Sequence, residues 1–387
     1  MLIEAPEHFN IFGSVKIYDV QKVLKLDSGK VESPLIRSIS YSEIGNVLDR
    51  LSIVIPVKNE KTSLLEGVLR AVPQNCQIIV VSNSSREEND KFKLEEKIIK
   101  NFNETTKHRL VMIHQKDPAL AAAFKKTGYE HIIGSDNLVN DGKAEGMIAG
   151  ILISKFLEKD FVGFIDADNY IPSVANEYVK DFAAGLLMAK SPYSMVRLHW
   201  KYKPKIVGGK FYLKKWGRVS RITNKYMNRL LMSRGGSKKG FIRTANAGEH
   251  AISMKLANIM DYSSGYSIEP YQIIYLLENF GYGKIDEDVA KNGIDLFQIE
   301  TLNPHIHEEK GEKHVESMLL GSLSALYHSS LCGESLKSRM FESLKASGVV
   351  DRESQIEKNK IIPSIGNIDV KKFIDVLEKQ SDTFSRF

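Results

Sequence analysis

Phe161–Tyr170 reads FVGFIDADNY, an apolar run that stops abruptly at Asp166-Ala167-Asp168. Buried parallel strands are continuous apolar segments of this kind, and ligands collect at their carboxyl ends. Two carboxylates one residue apart at such an end can hold a hard divalent cation, and the cation can hold a diphosphate. The bland alternative is a polar turn after a strand. The surrounding sequence decides between them.

Upstream, Leu51–Val57 (LSIVIPV), Gln77–Ser82 (QIIVVS) and Arg109–His114 (RLVMIH) are β-branched apolar segments. Each is followed by helical spacing, over Lys61–Ala71, Arg86–Asn101 and Ala119–Lys126. Asp141–Phe156 reads as a loop entering a helix. This alternation predicts an α/β fold, a mainly parallel Rossmann-like sheet with helices on both faces. Residues 1–48 are mixed and polar, with β-like Ser14–Val20, and read as an N-terminal extension or edge strands. Past Tyr170 the alternation loosens. Ser173–Lys190 reads as helix, Ser194–Trp200 as strand, Lys201–Arg243 as basic and irregular, and Glu249–Met260 and Pro270–Glu278 as helices. From His314 the tail is mostly helical, interrupted by the turn-rich Ile362–Asn367. Residues 49–190 and 191–387 therefore form two halves after the extension.

Composition narrows the functional classes. The 387 residues are 42% hydrophobic and 26% charged, as in an ordinary globular protein. Lys and Arg outnumber Asp and Glu by 54 to 48, a balance of +6 that suits an anionic small molecule. No basic block interleaved with aromatics marks a nucleic-acid surface. Cys76 and Cys332 stand far apart, without disulfide-framework or zinc spacing. MLIEAPEHFN lacks the basic and apolar regions of a secretory signal, and no apolar run reaches membrane-spanning length. The expectation is a cytoplasmic protein with no membrane contact.

Other strand ends carry polar clusters. Pro56-Val57-Lys58-Asn59-Glu60 offers an amide and a carboxylate to a base or ribose, unless Asn59 simply caps the helix. It has no Gly-rich phosphate loop. Ser82-Asn83-Ser84-Ser85 follows the second strand. In Asn137–Gly146 (NLVNDGKAEG), Lys143 beside helix N-terminal amides suits a diphosphate; the alternative is a solvated lysine. Lys214–Arg221 (KKWGRVSR) combines Arg218 with the Ser220 hydroxyl, which suits a small acceptor bearing phosphate and carboxylate; the alternative is a basic helix start on the surface. Gly240–His250 (GFIRTANAGEH) adds Thr244 and Glu249. In Asn303–Glu308 (NPHIHE), His305 or His307 could complete a cation's coordination.

Together these segments resemble the retaining GT-A glycosyltransferases, most closely the mannosyl-3-phosphoglycerate synthase family. PVKNE, SNSS, NDGKAEG, DAD, WGRVSRIT (216–223), ANAGEH (245–250) and NPHIHE come in that family's order and span most of the chain. The resemblance implies a GT-A fold, with a nucleotide-sugar-binding half at 49–190 and an acceptor-binding half with a helical tail at 191–387. It implies that Pro56, Val57, Lys58, Asn59, Glu60 and Ser82 hold the guanosine of GDP-mannose and that Lys143 meets the diphosphate. Asp166 and Ala167 would lie against ribose and sugar. Asp168 would bind a divalent metal, Mg²⁺ or Mn²⁺, with His305 preferred to His307. Gly217, Arg218, Val219 and Ser220 would seat the phosphate of 3-phosphoglycerate. Thr244 and Glu249 would face the acceptor or the mannose, and Asp166, Asp168 and Glu249 are the implied catalytic set.

The implied reaction moves mannose from GDP-mannose to the 2-hydroxyl of 3-phospho-D-glycerate with retention, on the way to the compatible solute mannosylglycerate. A homodimer is open to it. Three rival readings are a glucosyl-3-phosphoglycerate synthase, a sugar-nucleotide nucleotidyltransferase and a non-catalytic nucleotide-sugar sensor. The nucleotidyltransferase would need a Gly-rich loop after the first strand, which PVKNE lacks.

Overall fold

The strand that leads into Asp166-Ala167-Asp168 lies near the middle of a ten-stranded sheet. The computed structural model describes residues 1–4, 9–20, 36–87, 89–213, 217–235, 240, 242–282, 287–308 and 311–387. Lys214, Lys215, Trp216 and Phe241 of the segments quoted above fall outside the described residues, and of His307 only the backbone is described.

Across the sheet the strands are Ser385–Arg386, Leu110–His114, Gln77–Ser82, Leu51–Val57, Phe161–Phe164, His250–Ser253, Ser194–Trp200, Ile294–Thr301, Val15–Val20 and Phe9–Phe12. The four from Leu110–His114 to Phe161–Phe164 are mutually parallel, as are Ser194–Trp200, Ile294–Thr301 and Val15–Val20. His250–Ser253 runs antiparallel to both its neighbours and joins the two blocks. The edge strands are antiparallel too. Segments on both sides of residues 48 and 190 contribute to this one sheet.

Side-chain alternation splits the core between the two faces. Val54, Ile79, Val81 and Ile113 pack into one layer, with residues from the Pro118–Lys126, Lys143–Phe156 and Val370–Gln380 helices. Ile53, Ile55, Ile78 and Val80 pack into the other, with residues from the Thr62–Ala71, Lys91–Thr106 and Val174–Met188 helices. Helices therefore cover both faces, as the alternation predicts.

Three local expectations change. Glu249–Met260 is not one helix: His250–Ser253 is the inserted strand, and only Met254–Ile259 is helical. Lys201–Arg243 is less irregular than its composition suggests. It holds the Lys205–Val207 and Lys210–Tyr212 hairpin and a 16-residue helix, Arg218–Ser233. The charged helix starts at Lys91 rather than Arg86, with Asp90 as its cap.

One packing detail sets the position of Lys143. Gly146 and Gly150 lie four apart on the helix face that meets the sheet. A Cβ on Gly150 would sit 2.5 Å from Val54 Cγ1, and one on Gly146 2.8 Å from Gln115 Oε1. Their bare backbone lets this helix approach the central strands closely, with its N-terminus at their carboxyl ends. Among the described residues no helix is long and apolar enough to cross a membrane.

Candidate active site

The carboxyl ends of the central strands open into a cleft of about 540 Å³. Pro56, Val57, Lys58, Glu60, Lys143, Asp166, Ala167, Asp168, Gly217, Arg218, Val219, Ser220, Glu249 and His305 all line it. Asn59, Ser82 and Thr244 do not. Asn59 adopts the left-handed conformation, φ 60°, which asparagine tolerates better than most residues. Its Oδ1 accepts from Ser85 N at 2.9 Å and its N donates to Ser84 Oγ at 2.7 Å, so it clips two strand ends together. The helix cap is Lys61, not Asn59.

Ser82 is fully buried, and both it and Ser84 donate to the Glu95 carboxylate at 2.6 Å. Burial pushes Glu95 upward against those two hydrogen bonds. From this strand end it is Asn83 that enters the cleft, where its Nδ2 donates to Asp141 Oδ1 at 3.0 Å. Thr244 is buried too, with its hydroxyl donated to Gln298 Oε1 at 2.8 Å.

At the centre, Lys143 Nζ lies 2.6 Å from Asp166 Oδ1 and 3.1 Å from Glu269 Oε1. Burial alone would push this ammonium down, but Asp166 and then Glu269 outweigh it and hold its pKa well above the ordinary lysine value. Gly248 makes the arrangement possible. A Cβ there would stand 2.6 Å from Asp166 Oδ2 and 3.0 Å from Lys143 Nζ. Its neighbour Glu249 is 1% exposed, and burial, reinforced by Asp166, pushes its carboxyl up to about 8.

The NPHIHE segment reaches the same place. Tyr170 N donates to Ile306 O at 2.9 Å, and the Glu177 carboxylate accepts from Leu302 N at 2.6 Å and Asn303 N at 3.1 Å. His305 lies with its ring 4.6 Å from that of Trp200 and its Nδ1 3.7 Å from Glu249 Oε1. Among the described residues no cluster of three or more metal-ligating side chains occurs. Asp168 and His305 nonetheless both line the cleft, and a hard cation that completes its shell with phosphate oxygens and water needs few protein groups.

The far wall is the start of the Arg218–Ser233 helix, whose cap, Gly217, contributes no side chain. Helix N-terminal amides are groups that suit an anion. Arg218 reaches across the mouth to Glu312 at 2.8 Å. Lys203, unmarked by any motif, directs its Nζ to Ser220 Oγ at 3.4 Å and lies over the Trp200 ring at 4.4 Å. Burial pulls its pKa down to about 8.

The family model for mannosyl-3-phosphoglycerate synthase matches residues 5–377. The chain belongs to this family. It is 47% identical over its whole length, and that of the relative, to the mannosyl-3-phosphoglycerate synthase of Pyrococcus furiosus. With the synthase of Aeropyrum pernix it shares 36% identity over 99% of both chains. Among solved structures it is similar to glucosyl-3-phosphoglycerate synthase from Mycobacterium tuberculosis, in complex with Mn²⁺, UDP-glucose and phosphoglyceric acid. That match has a TM-score of 0.53 at 16% identity, over 77% of this chain and 86% of the other. This likeness supports the GT-A fold.

In this member of the mannosyl-3-phosphoglycerate synthase family, three further residues shape the site without any motif. Gln115 Nε2 donates to Asn140 O at 2.7 Å and Gly142 O at 3.0 Å, holding the loop before Lys143. Glu269 is the second partner of Lys143. Arg197 is completely buried beneath the site. It donates to Thr244 O at 2.8 Å, Glu269 O at 2.9 Å and Gln272 Oε1 at 2.7 Å. Gln272 in turn meets His250, whose Nδ1 donates to Ala247 O at 3.0 Å, leaving Nε2 to accept from Gln272 Nε2 at 3.0 Å. The segments bearing Glu249 and Glu269 thus hang on one guanidinium. A sequence signal existed: Arg197 is the one charge in the apolar strand Ser194–Trp200.

Proposed function

We propose that this protein transfers mannose from GDP-mannose to the 2-hydroxyl of 3-phospho-D-glycerate with retention of configuration, making the precursor of mannosylglycerate. The observation that carries the reading is the meeting, in one cleft, of the Lys143–Asp166 pair with the start of the Arg218–Ser233 helix. The first suits a sugar diphosphate and the second a phosphorylated acceptor.

Within this reading each side chain has a task. Pro56, Val57, Lys58, Glu60 and Asn83 form the nucleoside wall. Lys143 neutralises charge that grows on the leaving diphosphate, and it does so from a fixed position because two carboxylates hold it. Asp168 and His305 would hold a divalent cation, which supplies further countercharge to that leaving group. Arg218 and the amides after Gly217 orient the acceptor phosphate, so the 2-hydroxyl meets the sugar as a positioned neighbour. Glu249, raised by burial, can exchange hydrogen bonds with a sugar hydroxyl near neutral pH. Cys76 and Cys332 are buried free thiols, in keeping with a cytoplasmic location.

The test is direct. The purified protein is incubated with Mg²⁺ or Mn²⁺, 3-phosphoglycerate and, separately, GDP-mannose, GDP-glucose and UDP-glucose. Turnover confined to GDP-mannose, with an α-linked product by NMR, is expected. Preference for a glucosyl donor would replace the reading with its glucosyl counterpart.

A further inference from the structure

We infer that Lys203 is a specificity-determining residue for the acceptor, seating the carboxylate next to the reacting 2-hydroxyl while Arg218 seats the distal phosphate. This deepens the proposed function and rests on it. A three-carbon acceptor with an anion at each end needs two separated cationic contacts, and the cleft offers cations in different settings. Lys143 is held between Asp166 and Glu269, and Lys58 lies 4.0 Å from Asp141. Arg218 is 46% exposed and pairs with Glu312 at the mouth. Lys203 has Ser220 Oγ at 3.4 Å and the Trp200 ring at 4.4 Å beside its ammonium, and of the nearby carboxylates Glu249 acts on it most strongly.

Depth distinguishes Lys203 from Arg218. The face under Lys203 belongs to Trp200, which lies 4.6 Å from the His305 ring, and His305 Nδ1 lies 3.7 Å from Glu249 Oε1. This chain of contacts leads from Lys203 towards Glu249, which is 1% exposed, whereas the Arg218 side chain is 46% exposed. In phosphoglycerate the carboxylate is bonded to the carbon that bears the 2-hydroxyl, and the phosphate hangs from the next carbon. An acceptor placed hydroxyl-inward therefore brings its carboxylate to the deeper cation and its phosphate to the outer one. The lysine is also kept in place: its stem crosses the cap of the helix, with Cδ 3.9 Å from where a Cβ on Gly217 would stand. Trp200 is fixed in turn by its Nε1 donating to Tyr178 OH at 2.9 Å.

Glycerol 3-phosphate keeps the phosphate and the 2-hydroxyl but lacks the carboxylate, so it isolates the contact. Binding of both compounds is measured by calorimetry with the protein loaded with Mn²⁺ and GDP, for wild type, Lys203→Met and Lys203→Arg. Methionine keeps the stem over Trp200 and removes the charge. Wild type should prefer phosphoglycerate. Lys203→Met should weaken phosphoglycerate by about 10- to 100-fold, the range of a charge-assisted contact, and leave glycerol 3-phosphate within about 2-fold, which that loss leaves untouched. Lys203→Arg should retain the preference. Equal weakening of both compounds, or an unchanged preference in Lys203→Met, would overturn the assignment. Should Lys203→Met not fold, Lys203→Gln replaces it under the same criteria. Wild type that neither binds nor mannosylates phosphoglycerate would overturn the proposed function itself, a result separate from the behaviour of the variants.

Discussion

Lys143 Nζ stands 2.6 Å from Asp166 Oδ1, a contact that ties the start of a helix to the carboxyl end of the central strand. Asp166 and Glu269 thus position the lysine without any ligand. Lys143→Met should lower kcat by roughly 10²- to 10³-fold, the loss seen when one preorganised charge-stabilising group is removed. Nucleotide-sugar KM should change less than kcat. Steady-state kinetics check this, and a pure KM effect would remove Lys143 from the leaving-group role.

Asp168→Ala should abolish transfer while the melting temperature stays near that of wild type, because a cleft-facing carboxylate contributes chemistry more than packing. His305→Ala should raise the metal concentration for half-maximal activity more than His307→Ala does. Metal titrations of the two histidine variants decide it, and the opposite ranking would move the ligand to His307.

Arg218→Ala should raise the acceptor's KM by about 10- to 150-fold, from the roughly 1.5–3 kcal/mol of a charge-assisted hydrogen bond. Donor KM should hardly move. Glu312 competes for the same guanidinium at 2.8 Å across an exposed surface, where such pairs are worth at most about 1 kcal/mol. Glu312→Gln should therefore lower acceptor KM by no more than about 5-fold. An unchanged acceptor KM in Arg218→Ala, or a defect confined to the donor, would be fatal to the assignment.

Arg197→Met should destabilise the fold by about 3 kcal/mol or more, since a hydrogen bond from a charged donor is worth about 1.5–3 kcal/mol. The guanidinium gives such bonds to Thr244 O, Glu269 O and Gln272 Oε1. Urea midpoints measure it. A stable variant with normal kinetics would show that the loop and the Glu269 segment support themselves.

Glu95 gives the protein a pH-dependent stability. Burial raises its pKa above the ordinary 4.5, so the native state holds this proton more tightly than the unfolded chain. The proton's stabilising contribution is present below about pH 4.5 and is lost as pH rises through the native value. In Glu95→Gln that loss disappears. The stability of the variant relative to wild type should rise from pH 4 towards neutrality, as read by urea midpoints. A difference independent of pH would contradict it.

Much of this molecule was legible in its sequence because the strands are long, apolar and separated by helical spacing. Leu51–Val57, Gln77–Ser82 and Ser194–Trp200 appear with the expected limits. His250–Ser253 reads as part of a helix in the sequence because four residues cannot display a two-residue period against the helical pattern that follows. The Arg218–Ser233 helix was hidden by its basic exposed side, although Val219, Thr223, Tyr226, Met227, Leu230 and Leu231 trace a buried stripe. The same limit applied to the site. Polar residues at strand ends look alike in one dimension, yet Ser82 turns inward to Glu95 while adjacent Asn83 faces the cleft. Lys203, Gln115 and Glu269 come from segments without a motif, and only tertiary packing brings them to Lys143 and Ser220.

The short strand at Ser385–Arg386 bears on how the chain reaches this state. It covers the free edge of Leu110–His114, and Thr383 Oγ1 accepts from His114 N, a partner 269 residues earlier. During synthesis that apolar edge stays uncovered until the segment around Thr383, 269 residues after His114, has left the ribosome. Pairings so distant along the chain form slowly, and an open edge is a template for wrong partners meanwhile. A ribosome stalled short of residue 385 would thus present the sheet with the Leu110–His114 edge as an adhesive flank. Chaperone capture of such nascent chains should fall once Ser385 and Arg386 emerge.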